Sequence, residues 1–277
     1  MRRKIALISD HASPLSAAGG IDSGGQNIYV AHVARNLAAQ GYRVDVFTRR
    51  DSELLPEVVN WHNGVRVIHV PAGPPRFVRK EDLLPVMEEF SAFLVGFCRR
   101  EGGYDLAHAN FFMSGLAAMR LKEALQTPFV VTFHALGRVR RRHQGGADQF
   151  PPERLMIEDR IIDRADAIIA ECPQDQADLE ALYHADPRKI CIVPCGFDRD
   201  EFWPIPRKLA RRTLGFAPDA RILASIGRLV PRKGIDNAIR GLSRLEGRYG
   251  FSATLIVVGG NSDLPDPVVT PEIARLR

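Results

Sequence analysis

The segment GGIDSGGQNIYV, residues Gly19–Val30, joins an apolar run at 4–9 to a stretch of helical periodicity that ends near Gln40. Its four glycines let the backbone adopt conformations that other residues resist, and they let a ligand approach bare amide groups. The first amides of the following helix are unpaired and carry the positive end of its dipole, which attracts anions. The segment therefore predicts a phosphate-binding loop; a flexible loop without a ligand is the alternative.

The spacing of these glycines differs from that of the dinucleotide-binding fingerprint. That fingerprint places G-x-G-x-x-G directly after a strand. Here the polar residues 10–18 stand between the apolar run and the glycines. The spacing thus argues against a dinucleotide cofactor.

Length and composition are those of an ordinary globular protein. At roughly 150 residues per domain, 277 residues predict two domains. Hydrophobic residues make up 45% and charged residues 26%, which permits a sizeable core. No apolar run approaches the roughly 20 residues that span a bilayer, and the N-terminus leads straight into the first strand-like run. We therefore expect a cytoplasmic protein without a transmembrane segment.

Cysteines are few and scattered. Cys98, Cys172, Cys191 and Cys195 lie in strand-like and helix-like segments, and none of them forms a C-x-x-C pair. The pattern indicates neither a disulfide framework nor a zinc site.

Strand-like runs alternate with helical stretches along most of the chain. This alternation is typical of an α/β fold with a doubly wound parallel sheet, that is, a Rossmann-like domain. Prolines at 194, 204 and 206 then mark a break, after which the alternation resumes. We predict a Rossmann-like domain over residues 1–194, a linker over 195–206 and the incomplete start of a second such domain over 207–277. The predicted strands are 4–9, 42–48, 65–70, 105–109, 129–133, 167–170 and 190–193, then 222–226 and 253–258 after the linker.

The net charge of +5 is unevenly distributed. Five basic residues fall within one short segment: Arg138, Arg140, Arg141, Arg142 and His143. Guanidinium groups match phosphate oxygens two at a time, so the segment predicts a clamp for a phosphorylated or otherwise anionic ligand. A solvated charged loop is the alternative. No aromatic platform or known reading motif accompanies the cluster, so we predict no nucleic-acid partner.

Six motifs occur in a fixed order along nearly the whole chain. They are DSGGQ with YV (22–30), VDVFTRR (44–50), HAN with SG (108–115), TFHALG (132–137), VPCGFD (193–198), and IGRL with RKG (226–234). Together they resemble the family-4 glycosyltransferases, and within them the branch of sucrose synthase, sucrose-phosphate synthase and the enzymes that form glycosyl-inositol phosphates. The resemblance implies the glycosyltransferase-B architecture, with two Rossmann-like domains facing a cleft.

The resemblance also implies an activity. The N-terminal domain is expected to hold a sugar or polyol acceptor and the C-terminal domain a nucleotide-diphosphate sugar, from which a hexose is transferred with retention of configuration. The nucleotide sugar is then a co-substrate, and neither a cofactor nor a metal is required. Breaking the sugar-phosphate bond leaves a diphosphate whose growing negative charge must be met by positioned cations and amides.

Donor-binding residues follow from the same resemblance. Arg228 and Lys233 come after the first strand of the second domain and are expected to clamp the diphosphate, while Gly24 and Gly25 approach the same phosphates from across the cleft. His134 is expected to be catalytic and to reach the donor sugar from the acceptor side.

Acceptor-binding residues are predicted in two places. Asp22 and Asn27 are candidates for acceptor hydroxyls, although surface capping explains them equally well. Arg138, Arg140 and Arg142 are candidates for a phosphate on the acceptor.

One departure leaves alternatives open. Family members carry two glutamates, seven residues apart, further along the second domain, and this sequence ends before that region. The alternatives are a non-catalytic truncated paralogue or half-domain that acts as a binding module and forms oligomers, and, less favoured, a nucleotide-sugar epimerase. An epimerase would need acid and base carboxylates, and no clear pair is seen.

Overall fold

The computed structural model describes residues 3–16, 24–260, 262 and 264–277. Asp22 and the glycines at 19 and 20 therefore lie outside the described residues. The chain divides into a first unit that ends at Cys195 and a second that covers Gly196–Arg277.

An eight-stranded sheet forms the centre of the first unit. Its order is β3-β4-β2-β1-β5-β6-β7-β8, and every neighbouring pair is parallel except β3 with β4. The strands are β1 Lys4–Ile8, β2 Arg43–Arg49, β3 Val58–His62, β4 Val65–Val70, β5 Leu106–Asn110, β6 Phe129–Thr132, β7 Ala167–Ala170 and β8 Ile190–Ile192. The predicted α/β fold with a doubly wound parallel sheet is confirmed.

Helices cover both faces of this sheet. They are α1 Gly25–Ala39, α2 Met87–Arg100, α3 Phe112–Leu125, α4 Gly137–Gln144, α5 Glu153–Arg164 and α6 Pro173–Tyr183. Successive side chains of a strand alternate between faces. Leu7 accordingly joins Val30 and Ala34 of α1 in one core cluster, while Ala6 and Ile8 join the larger cluster on the opposite face. The alternation explains why β1 reads as a continuous apolar run.

Two local features differ from the sequence expectations. The edge strand β3 was not predicted, although Asn63 and Gly64 form the two-residue connection to β4 and Gly64 has φ +82°. The basic segment 138–143 lies within helix α4 and not in a loop. The choice between a ligand clamp and a solvated charged surface stays a prediction.

The second unit is smaller. It contains α7 Arg207–Thr213, β9 Ile222–Ile226, α8 Ile235–Tyr249, β10 Thr254–Val258 and α9 Glu272–Leu276. Strands β9 and β10 pair in parallel, as a strand-helix-strand crossover requires.

Candidate active site

The site of the first unit lies where the carboxyl ends of β1, β5, β6 and β7 meet the start of α1. Open α/β sheets bind ligands at this edge, because loops and helix N-termini converge there. Gln26 of α1 reaches across it and donates from Nε2 to the backbone oxygen of Asn110, at 3.3 Å, and to Ser9 Oγ, at 3.4 Å. The start of α1 is therefore fixed against the ends of β1 and β5.

Helix α1 begins with amides that its own cap does not satisfy. The Gly24 amide donates to Asn27 Oδ1 at 3.0 Å, and Asn27 Nδ2 donates to the Ser13 oxygen at 2.9 Å. The amides of Gly25 and Gln26 have no acceptor among the residues that the structure describes. The side chain of Asn27 thus caps the start of α1. Its predicted contact with hydroxyls of the sugar or polyol acceptor stays a prediction.

His134 stands at the end of β6 between two oxygen-bearing side chains. Its Nδ1 lies 3.2 Å from both carboxylate oxygens of Glu171, and its Nε2 lies 3.1 Å from Asn110 Oδ1. The residue has φ +57°, a conformation that non-glycine residues adopt rarely. Burial would raise the pKa of Glu171, but the hydrogen bond and charge of His134 bring that pKa below its ordinary value.

Two neighbours enclose the ring of His134. The ring of Tyr29 meets it edge-on at 4.9 Å between centroids, and burial raises the pKa of the Tyr29 hydroxyl. His108 lies behind, with Nε2 2.9 Å from Thr132 Oγ1. Burial, and then the nearby His134, lower the pKa of His108 to about 4, so it is neutral at physiological pH. His108 is placed to steady β5 and β6.

A cavity of about 220 Å³ opens beside His134. Leu136, Glu171, Asp175 and Asp178 are among its lining residues, so polar and apolar groups share its wall. The cavity lies between the segment leading into α4 and the start of α6.

A buried acidic residue at the end of β1 was missed by the sequence analysis. Asp10 is 1% exposed; its carboxylate accepts from Ser114 Oγ and lies 2.9 Å from Nδ1 of His11. The ring of His11 meets Phe111 edge-on at 5.0 Å. The signal available was a charged residue placed directly after a buried strand.

The three arginines predicted for the acceptor have different surroundings. Arg138 forms a bidentate ion pair with Asp159, and Arg140 donates to Asp148 at 2.8 Å. Arg142 is exposed and has no ion pair in the described ranges, and with Arg138 and Arg141 it lines a surface depression of about 400 Å³. The structure does not assemble the three guanidinium groups into one clamp.

A buried ion pair, which the sequence analysis also missed, stabilises the start of α4. Arg154 donates from Nε to Glu158 Oε1 at 2.7 Å and from Nη2 to the Ala135 oxygen at 2.5 Å, while its Nη1 is buried without a partner among the described atoms. Glu158 also accepts the Gly137 amide at 3.0 Å. Burial raises the pKa of Glu158, although the charge of Arg154 opposes this.

The predicted diphosphate clamp lies in the second unit. Gly227, with φ +151°, and Arg228 follow β9, and Lys233 precedes Gly234, the N-cap residue of α8. A Cβ on Gly259 would lie 1.9 Å from the Gly227 oxygen, so the segments after β9 and β10 pass very close together. Neither Arg228 nor Lys233 forms an ion pair with a described residue.

The described residues contain neither a cluster of metal ligands nor a membrane-spanning helix. No group of three or more His, Cys, Asp or Glu side chains in these ranges could hold a metal ion. No helix in the same part of the chain has the length and apolar character that crossing a membrane requires.

Comparison with known proteins identifies relatives over most of the chain. The family model described as Glycosyltransferase Family 4 matches residues 23–201. The D-inositol 3-phosphate glycosyltransferase 2 of Catenulispora acidiphila is 37% identical, over 99% of this chain and 66% of the relative. The D-inositol 3-phosphate glycosyltransferase of Actinosynnema mirum is 38% identical, over 94% of this chain and 64% of the relative. The chain therefore spans less than two thirds of these relatives.

Solved structures agree with this picture. Sucrose-phosphate synthase from Thermosynechococcus elongatus has a TM-score of 0.86 and 30% identity, over 99% of this chain and 66% of that chain. Anabaena Alr3699/HepE, solved in complex with UDP-glucose, has a TM-score of 0.67 at 18% identity, over 99% of this chain and 65% of that chain, which supports the fold alone. The resemblance inferred from the six motifs is confirmed.

Proposed function

Because the chain belongs to glycosyltransferase family 4, we propose that the protein transfers a hexose from a nucleotide-diphosphate sugar to a sugar or polyol acceptor, with retention of configuration. The observation that carries the proposal is the family match, together with the site that the first unit builds from α1 and His134. The alternative, a binding module, predicts that the protein binds a nucleotide without turnover.

Donor binding is assigned to four residues. Lys233 and Arg228 form no ion pair with a described residue, so their charges are available to a diphosphate. The Gly25 amide, at the positive end of α1, is equally available, and Gly24 caps that helix. Positioned cations and amides can meet the charge of the leaving diphosphate without a metal, and we propose no metal requirement.

His134 is assigned to the reacting sugar. Its ring stands at the ligand-binding edge of the sheet, held by side chains from β5 and from the end of β7. A strained backbone conformation at such an edge is often part of a functional site.

The acceptor is proposed to carry a phosphate, because the relatives are named as glycosyltransferases of inositol 3-phosphate. Arg141 and Arg142 are the exposed arginines of α4, and Arg138 borders the same depression. Arg140 already engages Asp148 and lies over the Phe150 ring, so we give it a supporting role. Asp22, outside the described residues, stays a candidate for acceptor hydroxyls.

The test is turnover of UDP-, GDP- and ADP-hexoses with inositol 3-phosphate as acceptor, in this chain and in a chain of the relatives' full length. We expect Lys233→Ala to lower kcat by 100-fold or more, on the order of 3 kcal/mol of transition-state stabilisation. Lys208→Ala, which removes an exposed lysine of α7, is the matched control and should leave the rate unchanged.

Three outcomes distinguish the proposed glycosyltransferase from the binding module and test the assigned residues. Unchanged turnover in Lys233→Ala would contradict the assigned clamp. Binding of a nucleoside diphosphate without turnover in either length would favour the binding module. A loss of acceptor affinity in Arg142→Ala, with donor affinity kept, would support the acceptor site on α4.

A further inference from the structure

The hydrogen-bond partners of His134 determine which of its ring nitrogens carry hydrogens, as well as where the ring lies. Both ring nitrogens lie within hydrogen-bond distance of a side-chain oxygen: Nδ1 faces Glu171, and Nε2 faces Asn110. A neutral imidazole carries one N–H and one bare acceptor nitrogen, whereas the imidazolium carries two N–H donors. The protonation state therefore depends on whether both facing groups are acceptors.

Glu171 is an acceptor. Its pKa lies below the ordinary value for a glutamate: burial raises the pKa, but the hydrogen bond and charge of His134, and then the hydrogen bond from Cys195, outweigh burial. The thiol of Cys195 donates to Oε1 at 3.1 Å. Burial, and then Glu171, raise the pKa of that thiol to about 11, so it keeps its hydrogen at neutral pH. An ionised carboxylate has no hydrogen to give, so Nδ1 must donate.

Asn110 is also an acceptor toward the ring. An asparagine amide presents one oxygen and one NH₂ group, and its neighbours decide which way it turns. Here Nδ2 lies 3.3 Å from the Ile8 oxygen and 3.4 Å from the His108 oxygen, both of which can only accept. The amide is therefore oriented with Oδ1 toward His134, and Nε2 must donate as well.

The remaining groups around the ring are compatible with a cation. From α1, the Tyr29 hydroxyl is un-ionised at neutral pH because burial raises its pKa. From β5, His108 is neutral because burial and His134 lower its pKa to about 4. From α6, Asp175 is a further anion beside Glu171, whose backbone amide it accepts at 3.0 Å.

We propose that Glu171 is a positioning residue that, together with Asn110, holds His134 as a doubly protonated imidazolium at the carboxyl end of β6. The role in catalysis rests on the proposed function, whereas the protonation state rests on the hydrogen-bond geometry around the ring. Because both N–H groups are engaged by the protein, the ring acts on a ligand through its fixed positive charge. Such a charge stabilises the negative charge that develops on the phosphate oxygen as its bond to the reacting sugar breaks.

The direct test is ¹⁵N NMR of the His134 ring at pH 7.5, in the full chain without ligand. We expect both ring nitrogens of the wild type to resonate as protonated nitrogens. In Glu171→Gln, a side chain of equal shape can donate its amide hydrogen to Nδ1, so we expect that nitrogen to move to the range of a bare acceptor. Glu88→Gln, at a glutamate with 80% side-chain exposure, is the control and should leave the spectrum unchanged.

Each result decides the inference. A bare nitrogen in the wild-type ring overturns it, whether or not the variant folds. Two protonated nitrogens in Glu171→Gln would show that Glu171 does not set the state of the ring. In a turnover assay we expect Glu171→Gln to lower kcat about tenfold or more, with the donor KM little changed. If no variant or wild type shows turnover, the proposed function fails while the ring spectra still decide this inference.

Discussion

At the scale of single residues, the site depends on two strand ends with unusual backbones. Phe111, after β5, has φ +84° and ψ +162°, and His134, after β6, has φ +57°. Conformations of this kind cost of the order of 1–3 kcal/mol each and persist where surrounding contacts hold them. Both residues stand at the ligand-binding edge, and neither conformation is visible in the residue type.

His108 and His134, neighbours at this edge of the sheet, differ in burial and in their contacts. His108 is buried and neutral, whereas His134 is partly accessible and engages a carboxylate. The burial of His108 has a measurable consequence, because a buried neutral histidine couples folding to pH.

We predict that the free energy of unfolding falls as the pH is lowered from about 6.5 to about 4, because only the unfolded chain takes up a proton on His108 in that window. With a folded pKa of about 4, the full effect is on the order of 3 kcal/mol. Urea unfolding at a series of pH values should show this slope in the wild type and a shallower one in His108→Gln. His62→Gln, at the exposed edge strand, should keep the wild-type slope; equal slopes in all three proteins would contradict the prediction.

At the scale of elements, the two helix starts that frame the site use glycine for different reasons. A Cβ on Gly25, in the first turn of α1, would meet no atom of the described residues within 4 Å. A Cβ on Gly137, in the first turn of α4, would lie 2.8 Å from Glu158 Oε2 and 3.0 Å from Arg154 Nε. Packing within the protein requires a glycine at the second position and leaves the first open for a ligand.

We predict that Gly25→Ala keeps or slightly raises stability, by up to about 1 kcal/mol, and weakens nucleoside-diphosphate binding tenfold or more. The stability follows from the free space, and the loss of affinity from a methyl group placed where phosphate oxygens approach the amide. Gly137→Ala should instead lower the free energy of unfolding by about 1–3 kcal/mol. Thermal unfolding and titration calorimetry separate the two effects; unchanged affinity in Gly25→Ala would remove α1 from the donor site.

Elements were predicted from the sequence more completely than the contacts between them. Periodicity was sufficient for the parallel strands, because a strand buried on both faces reads as a continuous apolar run. It was insufficient for β3, which is a short edge strand with partly exposed side chains. For α4, clustered charges concealed a helix whose start is fixed by Glu158, a residue of the next helix.

The candidate site shows the same limit. His134 was identified by resemblance, but its partners Asn110 and Glu171 lie 24 and 37 residues away along the chain. Arg154 was not singled out in the sequence, although it is 1% exposed and surrounded by aromatic rings. The order of strands in the sheet brings together side chains that are far apart along the chain. Local periodicity does not determine that order.

At the scale of the whole molecule, the buried apolar side chains are distributed unequally. Both core clusters consist of residues of the first unit. In the second unit, Ile235 is the one buried apolar side chain among the described residues. Strand residues such as Ile226 and Val258 of the two-stranded sheet are 78% and 49% exposed. The stabilising burial that the structure shows therefore belongs to residues 3–195.

We predict that a fragment of residues 1–195 keeps the main cooperative unfolding transition of the chain, with Tm changed by less than about 4 °C, which corresponds to about 1 kcal/mol for a domain of this size. The fragment retains Cys195, so the hydrogen bond to Glu171 is kept. The complementary fragment 196–277 should show no cooperative transition, because a two-stranded sheet with little buried apolar surface is marginal in water. Calorimetry of both fragments and of the whole chain checks this. Loss of the transition in residues 1–195 would mean that the first unit depends on the second for its stability, and a sharp transition in 196–277 would show a core that the described burial does not account for.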